Sequence, residues 1–521
     1  MPVRAGSSDE GATMDGEGGE AAAEPDDVAE AAADSRRNPW VIMGVILAGT
    51  YLPVLSMTVL GVALPDIARD LGAHTQLSTE WVVTIYVAAV AVILPATGWF
   101  GDRFGRRPSY LGALAFFGVG SVVCALAPSF ELLVAGRILQ GLGGGMLQPI
   151  AMATVYELFP VDKRGTALGM WGVAVMAAPA LGPPLGGWVV TNWGWRWIFV
   201  AMIGLAIIAL ALAWRLFHET APPGEPRPMD GIGWALAGIG VVTLVVVSRQ
   251  AAEWGFGSPL TVGATLVALG TISLMVWRSR RMSYPIIDLS MFSVPVFSVT
   301  MLVIWLMTMS QFARLNYLPV ELQVVRGVDA QEVGMLLMPA AIGVAITMPI
   351  GGRLADKIGP KVPVVTGVAI VTVTTFGLAN LTPTTPYPVI VALLVAQGVA
   401  TGLAMMPTTI GAMNSLPMRY IAQASSVIAL NRQLAGAVGT AVLGAVIFAQ
   451  LGAIAPEGLT AAAEIQQAQD GYNRMFFFAA VLMAATTVFA FFLPGKRRTL
   501  EMQQERAAEQ AEMGRATGGG G

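Results

Sequence analysis

Residues 98–107 read GWFGDRFGRR, and this short charged stretch sits between two long apolar runs. The runs cover Trp81 to Phe100 and Pro108 to Leu126. Each has close to the roughly 20 apolar residues that a helix needs to cross a bilayer. The charges between them therefore predict a short water-facing turn. Its three arginines place that turn on the cytoplasmic side, because positively charged loops resist translocation.

The same pattern returns 254 residues later, where residues 352–361 read GRLADKIGPK. Both copies have a glycine, an aspartate four residues later and a second glycine three residues after that, and both separate two apolar runs. A chain that carries one hinge twice is built from two related halves.

These two stretches resemble the loop signature of the Major Facilitator Superfamily, whose members are secondary transporters made of two six-helix bundles. We expect Asp102, Arg103 and Arg106 to form a cytoplasmic charge relay that holds the outward-open state. The resemblance implies a role in the conformational change for six loop residues: Gly98, Asp102, Arg103, Gly105, Arg106 and Asp356.

Composition points to a membrane protein and away from an enzyme. Charged residues make up 12% of the chain and the mean hydropathy is +0.66, whereas about a quarter of the residues in soluble domains are charged. The net charge of −3 suggests no nucleic-acid partner. Cys124 stands alone, and His74 and His218 fall in loops on opposite sides, so we expect no metal site and no cofactor.

Hydropathy and length predict an all-α membrane protein with fourteen transmembrane helices. The spacing of 254 residues between the hinges exceeds one six-helix half by about two helices, so the extra pair lies centrally between the halves. We expect five regions: a disordered acidic cytoplasmic tail (1–38), a six-helix bundle (39–217), two inserted helices with their loops (218–285), a second six-helix bundle (286–494) and a cytoplasmic tail (495–521).

Charge placement predicts that both termini are cytoplasmic. With that topology, most loop arginines and lysines lie inside, and the outer loops and helix mouths hold only Arg69, Arg196, Arg249, Arg326 and Arg474. This bias agrees with the positive-inside rule. We therefore expect a multi-pass protein of the plasma (inner) membrane.

The end of the first predicted span, residues 55–65, reads LSMTVLGVALP and resembles the first-helix signature of the fourteen-helix drug–proton antiporter branch. That branch has an aspartate where Ser56 stands and an asparagine where Gly61 stands. An intramembrane carboxylate can carry a proton or pair with a cationic drug, and a serine can do neither. Ser56 and Thr58 are nevertheless candidates for the substrate or coupling site.

The fourth span contains GRILQGLGGG, residues 136–145, and thus an arginine inside the membrane. Such a charge is costly and seldom accidental. The resemblance implies a role in proton transfer or coupling for Arg137, with Gln140 one turn away. The alternative is that Arg137 only ties the fourth helix to carbonyls and hydroxyls of the first. The glycines indicate close helix packing rather than phosphate binding, because no strand precedes them.

The fifth span contains APALGPPLGG, residues 178–187, which matches the antiporter signature of the family. Proline removes backbone hydrogen bonds and small residues allow close contact, so we expect a bend at the interface between the halves. Gly182, Pro183, Gly186 and Gly187 carry this motif and imply export. The alternative is a kink that says nothing about the direction of transport.

The remaining candidate residues are charged. Arg314 lies in the ninth span with Glu321 two turns further out, so without a first-helix aspartate the cavity is expected to be neutral to positive. Proton coupling would then use Glu321 or Glu157. Glu157 and Arg432 each lie about two turns inside the cytoplasmic mouth and could pair as part of a gate; the alternative is a solvated Glu157.

The sequence thus predicts a secondary active exporter of amphipathic small molecules, of the multidrug-efflux type, that works by alternating access and is driven by the proton gradient. An exporter or flipping transporter for lipids or anionic amphiphiles is the alternative. A non-transporting membrane sensor or scaffold is a hypothesis of another class. The partners implied are the substrate and membrane lipids, and accessory envelope proteins remain open.

Overall fold

The computed structural model describes residues 38–72, 76–160, 162–218, 228–451 and 462–501, together with residue 504. The predicted disordered tail at residues 1–38 lies outside these ranges except for Asn38. Most of the predicted cytoplasmic tail, residues 495–521, also lies outside them.

The described ranges contain fourteen long α-helices and no strand. The first six are α1 (Pro39–Asp70), α2 (Gln76–Phe104), α3 (Arg106–Ala125), α4 (Phe130–Leu158), α5 (Arg164–Trp193) and α6 (Arg196–Leu216). A central pair follows, α7 (Gly231–Trp254) and α8 (Pro259–Ser279). The last six are α9 (Pro295–Arg326), α10 (Ala330–Ile358), α11 (Lys361–Leu378), α12 (Tyr387–Asn414), α13 (Ile421–Leu451) and α14 (Ala462–Ala490).

Twelve of these helices are long and apolar enough to cross a membrane, so the prediction of an all-α membrane protein is confirmed. The two helices outside this set of described candidate spans are α4 and α5. In α4, Arg137, Gln140 and Gln148 interrupt the apolar sequence and lower its hydropathy. The prediction of fourteen spans therefore stays a prediction.

Local sequence explains where the helices begin. Side-chain oxygens of Asn38, Ser129 and Ser258 accept hydrogen bonds from backbone N–H groups in the first turns of α1, α4 and α8. Asp230 and Asp329 do the same for α7 and α10. These caps satisfy donors that have no partner within the helix itself.

The two hinge copies form equivalent turns. Gly105 joins α2 to α3 with φ of 90°, and Gly359 joins α10 to α11 with φ of 84°. A side chain is strained at such φ values, so each turn requires glycine. The repeat recognised in the sequence is therefore also a repeat of backbone conformation.

The two halves meet mainly along two pairs of helices. α5 packs along α10 on one side, and α2 packs along α13 on the other. The central pair forms a hairpin in which α7 contacts both α2 and α13. As a result, α7 lies against both halves, at the side of the interface that α2 and α13 form.

Candidate functional site

A buried polar cluster surrounds Arg137, which has no exposed surface. Its Nη1 donates to Ser56 Oγ (3.0 Å) and to Gln140 Oε1 (2.8 Å), and its Nε donates to the carbonyl of Val82 (3.3 Å). The guanidinium carbon lies 4.1 Å from the centroid of the Tyr86 ring. Hydrogen bonds of this charged kind contribute about 1.5–3 kcal/mol each.

Among the described residues, no acid balances the buried charge of this cluster. No described aspartate or glutamate forms an ion pair with Arg137, and its Nη2 has no hydrogen-bond partner among the described residues. The structure thus brings Ser56, Arg137 and Gln140, all predicted candidates, together in one cluster. Whether they serve coupling or only join α1 to α4 stays a prediction.

A cavity of about 260 Å³ lies between the halves. Residues of α1, α2, α4, α5, α7, α9 and α13 line it. Apolar side chains such as Met57, Met152 and Phe312 form much of its wall, and the charged residues of the wall are Arg249 and Arg432. No described aspartate or glutamate lines the cavity. A site of this composition suits an apolar molecule with a neutral or negative polar group.

The two predicted arginines of the C-terminal half lie in different places. Arg432 lines the cavity, and its Nη2 donates to Thr409 Oγ1 at 2.7 Å. Arg314 is half-buried in α9 and is not among the described residues that line the cavity. Arg249, which the sequence placed only at an outer helix mouth, reaches the cavity from α7. Hydropathy does not show which face of a helix points toward the cavity, so the sequence could not reveal the position of Arg249.

The glycine motif of α5 packs against α1 rather than against the other half. A Cβ atom on Gly182 would collide with Thr58 Oγ1, and one on Gly186 would lie 2.8 Å from Val59 Cγ1. Gly187 has more room, because its Cβ would lie 3.8 Å from Val62 Cγ1. The prediction that these glycines lie at the interface between the halves is wrong. The side chain of Pro183 lies outside the described part of α5.

The α5 glycines that do meet the second half lie nearer the start of that helix. A Cβ on Gly169 would lie 2.8 Å from the Cα of Pro349 in α10. The backbones of Gly165 and Gly352 approach so closely that a Cβ on either would collide with the carbonyl oxygen of the other. Small residues are needed wherever two helices approach this closely.

Asp356 of α10 caps α5 across the interface. Its Oδ1 accepts the N–H of Gly165 (2.8 Å), and its Oδ2 accepts the N–H (2.9 Å) and the hydroxyl of Thr166 (3.0 Å). Because α5 begins at Arg164, these are first-turn donors that lack partners in their own helix. The positive end of the helix dipole also favours a carboxylate there. One side chain of the second half thus completes a helix of the first.

A second contact closes the same end of the molecule. Tyr156 at the end of α4 donates its hydroxyl proton to Asn414 Oδ1, at 2.6 Å, at the end of α12. Both residues are buried. Together with the Asp356 cap, this hydrogen bond holds the hinge ends of the two halves against each other.

The first hinge forms its ion pairs inside its own half. Arg106 is buried and donates to Glu157 through Nη2 (2.8 Å) and Nε (3.3 Å), and to Asp102 through Nη1 (3.3 Å). Arg103 is exposed and lies 6.0 Å from the Phe104 ring centroid, outside this chain of contacts.

Two predictions about these charges need correction. The predicted Glu157–Arg432 pair is wrong, because Glu157 binds Arg106 while Arg432 donates to Thr409. The predicted relay of Asp102, Arg103 and Arg106 is incomplete, because Arg106 pairs with Asp102 while exposed Arg103 forms no described ion pair. The aspartate that binds across the interface is Asp356 of the second hinge. Gly98 of the first hinge lies close to α13, much as Gly352 of the second hinge lies close to α5. A Cβ atom added to Gly98 would lie 3.0 Å from the Cα of Gln423.

Glu321 lies in a separate buried cluster between α9 and α14. It has no exposed surface, and its Oε1 accepts a hydrogen bond from Gln469 Nε2 at 3.0 Å. Its Oε2 has no partner among the described residues, and no described arginine or lysine forms an ion pair with it. Glu157, by contrast, is neutralised by Arg106. Of the two acids considered for coupling, Glu321 is the one whose charge is poorly compensated.

Comparison with known proteins places these features in a family. The Major Facilitator Superfamily matches residues 46–440. The chain is 28% identical to the multidrug resistance protein B homolog of Mycobacterium tuberculosis (strain ATCC 25618 / H37Rv), over 87% of this chain and 89% of that protein. It is 29% identical to the lincomycin resistance protein LmrB of Bacillus subtilis (strain 168), over 87% of this chain and 95% of that protein.

A solved structure shows the same fold. The proton:xylose symporter XylE, bound to 6-bromo-6-deoxy-D-glucose, superposes with a TM-score of 0.60 at 17% sequence identity. The match covers 88% of this chain and 96% of that chain.

We predict that Gly182→Val abolishes transport, because its side chain would force α1 and α5 apart at Thr58. Overpacking of this kind costs about 1–3 kcal/mol or more. The matched control is Gly187→Ala, whose added methyl group meets Val62 at an ordinary contact distance. Efflux by cells with equal amounts of each variant in the membrane measures the effect. Wild-type efflux by Gly182→Val would show that close α1–α5 contact is not required.

We predict that Asp356→Ala lowers transport more than Asp356→Asn does, with both variants folded. Alanine loses every hydrogen bond to α5, whereas asparagine keeps one acceptor and loses the charge. Removal of a helix cap costs about 0.5–2 kcal/mol, which is enough to shift an equilibrium between two conformations severalfold. Initial transport rates in proteoliposomes test this. Equal, wild-type rates in both variants would contradict a role for the cap.

Proposed function

Because the chain belongs to the Major Facilitator Superfamily, we propose that it is a secondary active exporter of amphipathic small molecules that works by alternating access. The observation that carries this proposal is the cavity between the halves, together with a hinge end that shared contacts hold closed. The chain is a transporter and not an enzyme. Its relatives named for drug resistance support the drug-efflux branch.

In the membrane we propose fourteen spans with both termini in the cytoplasm. α4 and α5 pack among the candidate spans of the first half, α4 against α3 and α2, and α5 against α1 and α10. Helices enclosed in this way can cross the bilayer despite their polar and small residues, because their neighbours shield those residues from lipid. An even number of spans also keeps the arginine-rich hinges inside. The plasma membrane is the proposed location.

We propose that export draws on the proton gradient through Glu321. A carboxylate charge in an apolar environment is costly without a counter-ion, and Glu321 has one hydrogen bond from Gln469 and no described ion-pair partner. Such a group can take up a proton in one conformation and release it when the surrounding helices move. The first-helix aspartate of related antiporters is replaced here by Ser56, whose hydroxyl cannot serve.

The alternative substrate class, anionic amphiphiles or lipids, has its own support. The cavity wall contains two arginines and no described acid. A cationic drug would meet like charge there at considerable cost, whereas an anion or a neutral molecule would not. We therefore place neutral and anionic amphiphiles ahead of cations among the substrates. No observation in the described residues favours the sensor or scaffold hypothesis.

Counterflow in proteoliposomes tests whether the protein transports at all. Vesicles loaded with an unlabelled amphiphile should accumulate the labelled one when the protein is present, and more of it under an imposed proton gradient. A panel of neutral, anionic and cationic amphiphiles covers the substrate classes. A complete absence of exchange across the panel, with protein that is folded and inserted, would contradict the proposal.

We predict that Glu321→Gln keeps counterflow but loses stimulation by the proton gradient. Glutamine preserves the size and one acceptor, yet it cannot bind and release a proton. Counterflow and gradient-driven uptake are measured on the same vesicles. The matched control is Glu332→Gln, which removes an exposed carboxylate from the first turn of α10. Full gradient stimulation in Glu321→Gln would assign coupling to another group.

A further inference from the structure

Arg249 is the one described residue of the central helix pair that lines the cavity. It lies 18 residues after the start of α7, which places it about 27 Å along that helix. α7 packs against α2 and α13, so this helix holds Arg249 at the junction of the two halves. The inserted pair therefore contributes a charge to the cavity and does not act only as a spacer.

A second positive charge faces this space, because Arg432 lines the cavity from α13. Trp171 lines it from α5 with a side chain that is only 4% exposed. The indole nitrogen of Trp171 is itself buried, so in this conformation it does not open onto the cavity. The two arginines are therefore the groups of the wall that can attract a negative charge.

We propose that Arg249 and Arg432 form a subsite for the anionic head of an amphiphile. This inference rests on the proposed function, because it takes the cavity as the transport site. An anion held beside two guanidinium groups is attracted by both positive charges. Arginine also matches the planar or tetrahedral oxygen groups of carboxylate, sulfate and phosphate heads.

The size of the cavity limits what the subsite can hold. Its volume of about 260 Å³ lies just below the range of roughly 300–1,000 Å³ that is usual for small-molecule sites. The space fits a charged head with a short apolar portion, which would lie against Met57, Met152 and Phe312. It does not fit the two chains of a phospholipid. The proposed ligand is therefore a single-chain or small aromatic anionic amphiphile.

A structural role for Arg249 makes a different prediction. Arginines near the end of a span often extend their charged group to the membrane surface while the stem packs against apolar neighbours. Loss of such a residue would weaken transport of every substrate equally. Loss of a subsite residue, by contrast, weakens transport of substrates with an anionic head and leaves transport of neutral ones unchanged.

Three probes with the same ten-carbon chain separate these roles: decyl sulfate, neutral decyldimethylamine oxide and decyltrimethylammonium. Uptake into proteoliposomes is measured for the wild type, Arg249→Gln, Arg249→Lys and Arg432→Gln. The matched control is Arg69→Gln, which removes a highly exposed charge at the outer end of α1. A labelled phosphatidylglycerol tests whether a lipid can present the same anionic head.

We expect the wild type to favour decyl sulfate. Arg249→Gln and Arg432→Gln should each raise the half-saturating concentration of decyl sulfate about tenfold and leave that of the amine oxide unchanged. Arg249→Lys should retain much of the affinity, because it keeps the charge, and Arg69→Gln should have no effect. Phosphatidylglycerol should move more slowly than decyl sulfate.

Three results would overturn the subsite: a wild type that prefers the cation, an Arg249→Gln variant that loses all probes equally, or one that loses none. If the wild type moves no probe, the proposed function fails, and binding still decides the inference. Purified protein in nanodiscs should then show a rise in Tm with decyl sulfate that Arg249→Gln abolishes. An unchanged rise in that variant would exclude Arg249 from the binding site.

Discussion

The closed arrangement of the two halves depends on one hydrogen-bonded contact, in which the carboxylate of Asp356 caps the first turn of α5. The carboxylate joins the halves through three hydrogen bonds and lies at the positive end of the α5 helix dipole. The contact is possible only because Gly165 and Gly352 let the two backbones meet. A cap contributes about 0.5–2 kcal/mol, enough to bias a conformational equilibrium and weak enough to be broken in each transport cycle.

The two hinges have the same backbone conformation, but their charged side chains bind different partners. Gly105 and Gly359 adopt the same left-handed turn, so the repeat fixes where the chain reverses direction. In the second hinge the aspartate binds across the interface, whereas in the first Arg106 pairs with both Asp102 and Glu157 of its own half. The bond from Tyr156 to Asn414 completes the closed end. Closure at that end leaves the central cavity as the proposed place for the substrate.

The sequence predicted those features that depend on the lengths of the apolar runs and on the positions of the charges. The helices follow from the lengths of the apolar runs, and the repeated hinge follows from its charge pattern. The contact of Arg137 with a hydroxyl of the first helix follows from the cost of a charge inside the membrane. The sequence did not predict the partners of Asp356 or Arg106, because these depend on contacts between helices that are far apart in the chain. Helix rotation was also missed: the hydropathy of α5 and α7 does not show that Gly182 faces α1 or that Arg249 reaches the cavity.

The most direct test of the account measures how far the hinge ends of the halves separate. Spin labels are attached to cysteines that replace exposed Phe104 of α2 and exposed Lys357 of α10. The buried Cys124 is changed to alanine in the same variant. Double electron–electron resonance should give one short distance population for this protein in nanodiscs. Adding Asp356→Ala should create a second, longer population. An unchanged single population would contradict the claim that the Asp356 cap holds the two halves closed.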